Sequence, residues 1–337
     1  MIMNPRKAII AASLILLLVF VITLCVGRYH LNVRMVGQLF WLRMTGVQPD
    51  SISTDATVLW SVRLPRSIMA AMAGMVLSVS GAVFQGIFRN PLVSPDILGV
   101  SSGASFGAGL AIILAGGSAL AIELSAFAWA LVAVTVAYQI GKRGNSITTL
   151  VLAGVIISAV FTAGLSFLKY VADPYEQLPA IVFWTMGGFN KIVWADILRA
   201  IPLMTGGITA IWILRWRLNL LAMGDEEAMS LGINASRERR LYIVLATLIV
   251  AASISACGSI GWVGLVVPHM ARIMVGPDHK ILIPFSALIG AIFMLLMDTL
   301  ARTISGAEIP ISIITSLIGA PFLAYLLLKQ EKRQWQE

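Results

Sequence analysis

The 337 residues are 58% hydrophobic and only 12% charged, with a mean hydropathy of +0.90. Soluble domains carry about twice that charged fraction, roughly 25%, so this composition excludes an ordinary water-soluble domain and calls for lipid as solvent. The net charge of +8 and pI near 9.8 do not point to nucleic acid. The basic residues are dispersed between apolar runs, as the inside-facing positive bias of membrane proteins disperses them.

Arg6 and Lys7 precede an apolar run at 8–27. At about 20 residues it exceeds the ~7–15 of a signal-peptide core and suffices to cross ~30 Å of hydrocarbon. It reads as a retained first helix. Further spans are predicted at 64–87, 97–115, 119–140, 148–168, 197–214, 241–256, 260–275, 281–300 and 309–328. With the first, these make about ten transmembrane helices in one all-α polytopic domain covering 1–337. The third and eighth are short and rich in Gly and Pro. With the N-terminus inside, most of the 24 Lys and Arg fall on inner segments, which predicts both termini in the cytoplasm.

Gly99, Gly103 and Gly107 recur every four residues and give one helix face a smooth strip. In lipid such strips let backbones approach closely, so packing within the chain is the expectation. Pro91, Pro95, Pro268 and Pro321 lie at or within span ends, where broken helices need protein or water to satisfy the freed backbone groups. Cys25 and Cys257 sit in apolar runs and supply neither a disulfide framework nor zinc spacing.

No phosphate-binding loop of the form G-x-x-x-x-G-K-[ST] occurs. The histidines, His30, His269 and His279, lack the spacing of a helical zinc site, and no nucleophile elbow is present. No catalytic residue and no metal ligand is expected in this chain. An ion-coupled transporter, the main alternative, buries ionisable groups at the membrane midplane. Here the acids nearest a span interior are Glu123 and Asp298, both close to predicted ends, and Asp298 is four residues from Arg302, the spacing of a local ion pair.

The inner segment 215–240 carries the sequence from Leu220 to Gly232. Asp225 is predicted to cap a short helix with Glu226 and Glu227 at its positive end, and Gly232 to end it. Ala228 and Leu231, three apart, form a small apolar face. That face suits either a partner's groove or an ordinary solvated helix.

At this point the motifs resemble a known family. Arg63-Leu64-Pro65-Arg66 resembles R-L-P-R; Gln85-Gly86, Asn90-Pro91-Leu92, Pro95 and Leu98-Gly99 resemble a Q-G…N-P-L-x-x-P…L-G signature. Gly264 to His269 is similar to G-L-V-x-P-H, and Gly319-Ala320-Pro321 to G-A-P. Together they resemble the FecCD/BtuC-type permeases of binding-protein-dependent ABC importers for iron–siderophores, haem and cobalamin, with a branch for molybdate or tungstate. Ser259 stands where Pro is common and Ser312 where Gly is usual.

The resemblance implies a BtuC-like type II importer permease in the bacterial inner membrane. Its partners would be a second copy of itself, two cytoplasmic ATPase subunits that hold ATP and magnesium, and a periplasmic substrate-binding protein. The stretch Asp225, Glu226, Glu227, Ala228, Leu231 and Gly232 then corresponds to the ATPase-coupling helix. Arg63, Arg66 and Arg302 correspond to residues that dock the binding protein's carboxylates; headgroup anchoring, or pairing of Arg302 with Asp298, is the structural alternative. Ser146 falls where the family narrows its cytoplasmic gate, and equally suits an N-cap before Thr148 and Thr149.

Overall fold

The computed structural model describes residues 4–46, 54–143 and 147–334. Among these no strand occurs, and thirteen helical elements follow one another. They are α1 (Pro5–Cys25), α2 (Val33–Thr45), α3 (Thr54–Ile87), α4 (Val100–Leu114), α5 (Ala119–Arg143), α6 (Ile147–Val171) and α7 (Gln177–Met186). Then come α8 (Trp194–Met223), α9 (Asp225–Ser230), α10 (Ala235–Cys257), α11 (Val263–Val275), α12 (His279–Thr303) and α13 (Ile311–Gln334). Seven of them, α1, α3, α5, α6, α8, α10 and α12, are long and apolar enough to cross a membrane.

Each of the ten predicted spans falls on a helix, but the third and eighth fall on shorter ones. α4 and α11 have 15 and 13 residues, which at 1.5 Å per residue gives about 20 Å. Their starts are broken for local reasons. A 3-10 turn at Pro95–Leu98 precedes α4, and Trp262, with φ +72°, precedes α11. Two helices were not expected at all. α2 buries Val36 and Leu39 on one side and exposes Val33, Trp41 and Met44 on the other; α7 occupies the stretch between the fifth and sixth spans.

α3 is the axis of the molecule. From Leu64 to Ile87 nearly every residue is buried, and the helix packs on α12, α10, α11 and α8. The contact with α12 is made by small residues. A Cβ on Gly74 would run into the carbonyl oxygen of Gly290, and Ser78 Oγ donates to Ser286 O at 2.7 Å and to its own Gly74 O at 2.8 Å. One further stretch along, Gly81 meets Gly264 of α11 as closely. Such approaches let dispersion and short hydrogen bonds hold helices together where lipid removes the hydrophobic drive.

Gly103 and Gly107 do the same for α4 and α5. A Cβ there would lie 2.6 Å from Trp129 O and 2.5 Å from Ser125 O respectively, so the strip is a packing surface. Gly99 departs from it and forms the N-cap of α4. Phe106, Trp129 and Phe161 close the α4–α5–α6 junction with ring centroids 5.0, 5.5 and 5.8 Å apart. By contrast, α1 buries mainly the small Ala8 and Ala12 and Val19, and turns Ile10, Leu14, Leu17, Leu18 and Ile22 outward. That outward face is what lipid contact requires.

Candidate functional site

Charged residues gather at the two ends of α3. At the end that begins with Arg63, a π-helical turn over Val58–Arg63 leads into the helix, and Pro65 stands in its first turn, where a missing N–H costs nothing. Arg63 and Arg66, three apart, project to one side. Arg66 meets Asp298 of α12, with Nη2 2.8 Å from Oδ1 and Nε 2.9 Å from the same oxygen. Its Nη1 donates to both oxygens of Glu308 at 2.9 Å. Arg302 reaches Asp298 Oδ2 at 3.6 Å and donates to Thr23 O at 2.5 Å. Arg63 donates to the carbonyls of Leu24 (2.6 Å), Cys25 (2.8 Å) and Tyr29 at the end of α1.

The structure therefore brings Arg63, Arg66 and Arg302 together, and it buries them. They are 4, 6 and 6% exposed, and every guanidinium has partners inside the chain. Instead of lying exposed, the three form a buried network that ties α1, α3, α12 and the segment before α13. The reason is local: helix-end carbonyls need donors, and a buried arginine must be paired. Asp298 is indeed the partner of Arg302, as its spacing suggested, but Arg66 is the closer one. Glu308 is the more exposed of the network's two acids, at 33%.

At the opposite end, α9 is confirmed as a short helix, with two corrections. Asp225 is its first residue, not its cap; Gly224 occupies that position without a capping side chain. Asp225 instead pairs with Arg239 of α10 at 2.6 Å and lies 4.0 Å from Arg89, just beyond the end of α3. The second correction concerns the apolar face. Ala228 is fully buried within the chain, whereas Leu231 and Met229 are 57 and 58% exposed. Ala228 packs α9 onto its own subunit, and only the flanking residues face outward. Gly232, with φ +80°, ends the helix as predicted, its N–H donating to Met229 O and that of Ile233 to Ala228 O.

Glu226 and Glu227 are exposed, and a cavity of about 550 Å³ opens between α9 and the α5–α6 junction, bordered by Arg89, Tyr138, Lys142, Ile147, Glu226 and Arg239. Ser146 lies outside the described residues. Beside this face, Asp278 caps α12. Burial pushes its carboxyl up, but hydrogen bonds from Asn219 Nδ2 (2.6 Å) and Lys280 N (2.9 Å), with the Lys280 charge, win and hold it below the usual range.

The acids near the spans are all engaged. Glu123 accepts from Arg199 at 2.7 Å, Asp298 is paired as described, and Asp96, in the turn before α4, accepts from Ser101 Oγ. No group of three or more His, Cys, Asp or Glu residues placed to hold a metal occurs among the described residues. Ser259 and Ser312, the two departures from the resembled pattern, touch each other: Ser312 Oγ donates to Ser259 O at 2.7 Å, a bond that glycine at 312 could not make.

Residues 15–329 match the model of the FecCD transport family. The chain belongs to that family. FecCD proteins are permease subunits of ABC transporters, and such subunits carry no ATPase site of their own. This FecCD chain is 41% identical over 328 residues to the molybdate import system permease protein MolB of Haemophilus influenzae, covering 97% of this chain and 96% of that one. It is 41% identical over 282 residues to the cobalamin import system permease protein BtuC of Halobacterium salinarum, covering 83% and 76% respectively. A metal-chelate type ABC transporter solved in an inward-facing conformation shares its fold with a TM-score of 0.86 at 40% identity, over 96% of this chain and 99% of that one.

Proposed function

We propose that this FecCD chain is the membrane-spanning half of a homodimeric, ATP-driven importer that carries a metal-containing substrate from periplasm to cytoplasm. The substrate class is the one its relatives' names share, a metal chelate such as cobalamin or a molybdate-type oxyanion. The observation that carries the reading is the two-ended charge arrangement on α3, inside a chain whose family match covers 15–329. All ten predicted spans cross the bilayer in this reading, the two short ones, α4 and α11, completed by their broken starts. Both termini lie in the cytoplasm, on the side where the basic residues concentrate.

At the cytoplasmic face, α9 couples to a partner ATPase that binds ATP and magnesium. Its exposed Met229 and Leu231 enter the partner's groove, while the Arg239–Asp225 pair and buried Ala228 make it move as one body with α10. Ser146 stays the candidate for the inner gate; Ile147, the residue that follows it in sequence, lines the 550 Å³ cavity. At the periplasmic face the binding protein docks on loops whose shape Arg63, Arg66 and Arg302 fix from below. Transport follows from a two-state equilibrium that ATP and substrate bias differently, with no covalent step in this chain.

The test is reconstitution of the permease with its ATPase and binding protein in proteoliposomes. Uptake should require the ATPase subunit and hydrolysable ATP, and the assembly should contain two copies of this chain. Uptake that persists without the ATPase and collapses with an ionophore would establish ion coupling instead.

A further inference from the structure

Three helix ends converge near Arg66: the carboxyl ends of α7 and α10 and the start of α13. Ile311 N donates to Gly187 O at 3.3 Å, Gly188 N to Cys257 O at 2.8 Å, and Ser312 Oγ to Ser259 O at 2.7 Å. Gly187 has φ +65°, and a Cβ there would strike the Ser259 carbonyl. This joint closes only with glycine. Beside it lies a cavity of about 490 Å³ whose lining includes Phe183, Trp184, Asn190, Lys191, Arg66 and Glu308. That volume is in the range of small-molecule sites, about 300–1,000 Å³.

The charges around this cavity do not cancel. Of the residues that line it, Arg66 is cationic and only Glu308 is acidic. Lys191 adds a further cation, is exposed, and forms no ion pair among the described residues. Low-dielectric walls concentrate such an excess into a positive potential. The two partners of Arg66 differ in a way that matters. Asp298 is 1% exposed and fixed, whereas Glu308 is 33% exposed and borders the cavity. Displacement of Glu308 would leave Arg66 still neutralised by Asp298, with Nη1 free to bond another oxygen.

We propose that this cavity is a binding vestibule for an oxygen-bearing anion, held by Lys191 and by Arg66 Nη1 in place of Glu308. The inference rests on the importer reading above and adds the charge of the cargo. Trp184 and Phe183 offer an apolar wall to the organic part of a chelate; a bare oxyanion would use only the cationic side.

The experiment uses the full permease–ATPase complex in nanodiscs without binding protein. Molybdate, ferric citrate and uncharged cyanocobalamin serve as separate probes by equilibrium binding. Saturable binding of molybdate or ferric citrate is expected, and which of the two binds distinguishes oxyanion from chelate. Reversing one partly screened charge beside the ligand, Lys191→Glu, should weaken it about tenfold, as should raised salt. Lys191→Arg should retain binding, and the isosteric Asn190→Asp should weaken it without altering packing. Absence of anion binding, binding indifferent to Lys191→Glu and Asn190→Asp, or equal sensitivity with cyanocobalamin would overturn the proposal. ATP hydrolysis stimulated by the binding protein, measured on the same preparations, separates the two levels. If it is present in the wild type while anion binding fails, the vestibule is wrong and the importer reading stands; if it is missing in the wild type, the importer reading itself fails.

Discussion

Asp298 is the position at which the buried network is most easily broken. It is 1% exposed and faces two guanidinium groups, Arg66 at 2.8 Å and Arg302 at 3.6 Å. At an effective dielectric near 20, the closer pair attracts by about 6 kcal/mol before desolvation is subtracted. Breaking one side of a buried pair costs about 3–5 kcal/mol, because the survivor is left uncompensated. Asp298→Asn keeps the shape and removes the charge. Glu308 continues to neutralise Arg66, so the loss should fall at the lower end, about 3 kcal/mol. The assay is unfolding in mixed detergent–lipid micelles, for the wild type, Asp298→Asn, Arg66→Met and the double variant. Because Arg66→Met takes away the charge that Asp298 answers, the double variant should be less destabilised than the sum, by about 2 kcal/mol or more. Additivity to within about 0.5 kcal/mol would show that the two side chains do not act as a pair, and the account of this end of the molecule would be wrong.

Leu231→Arg should insert and assemble normally yet uncouple ATP hydrolysis from uptake, because Leu231 is exposed and leaves the fold untouched; normal uptake by this variant would remove α9 from the coupling interface. Ala228→Arg is expected to lower folded yield instead, since Ala228 is fully buried within the chain. Gly74→Val must push α3 away from Gly290 and should abolish accumulation of folded permease, read by size-exclusion chromatography; an unchanged profile would mean that α3 and α12 do not touch there. Asp278 has a depressed pKa, so its contribution is present above the unfolded value of about 3.9 and is lost as pH falls through the lower folded value. Hydrogen exchange at the start of α12 should therefore be flat from pH 8 to 5 after correction for intrinsic rates and should rise only in acid, and Asp278→Ala should already show the raised protection loss at pH 7.

The apolar runs made the long helices legible, because an uninterrupted stretch of about 20 residues has few alternatives. α7 escaped because ten residues containing Pro179 are too few for that criterion. α2 escaped because Arg34, Gln38 and Arg43 interrupt its apolar side, although Val36 and Leu39 three apart were an available amphipathic sign. α8 runs to Met223, beyond the predicted 214, because Arg215, Arg217 and Asn219 end the hydrophobic run without ending the helix. The Asp298–Arg302 spacing was visible, yet the closer partner, Arg66, stands 232 residues away in sequence. No local pattern reports such a pair, and an arginine at a span end reads by default as an exposed one. Ala228 failed for the same reason: spacing places residues on one helix face but does not say what that face meets.

The arrangement around α3 bears on how the proposed transport cycle moves. From Leu64 to Ile87 the helix is about 36 Å long at 1.5 Å per residue, and glycine contacts lock it against α12 near its middle and against α11 further on. A helix so packed does not compress or bend to absorb a local push, since close-packed interiors shift as units. Its outer end is held through Arg66 to α12 and to the segment that starts α13; its inner end reaches Arg89, within 4.0 Å of the Asp225 that also binds α10. A displacement of α9 by an ATPase therefore has a short route to both α3 and α10, and along α3 to the joint beside the 490 Å³ cavity. Local gating at one loop would need that route to be slack. The buried, glycine-packed helix favours rigid-body rocking of the subunit, with the partly exposed Glu308 on buried Arg66 as the contact most able to change partners between its two ends of travel.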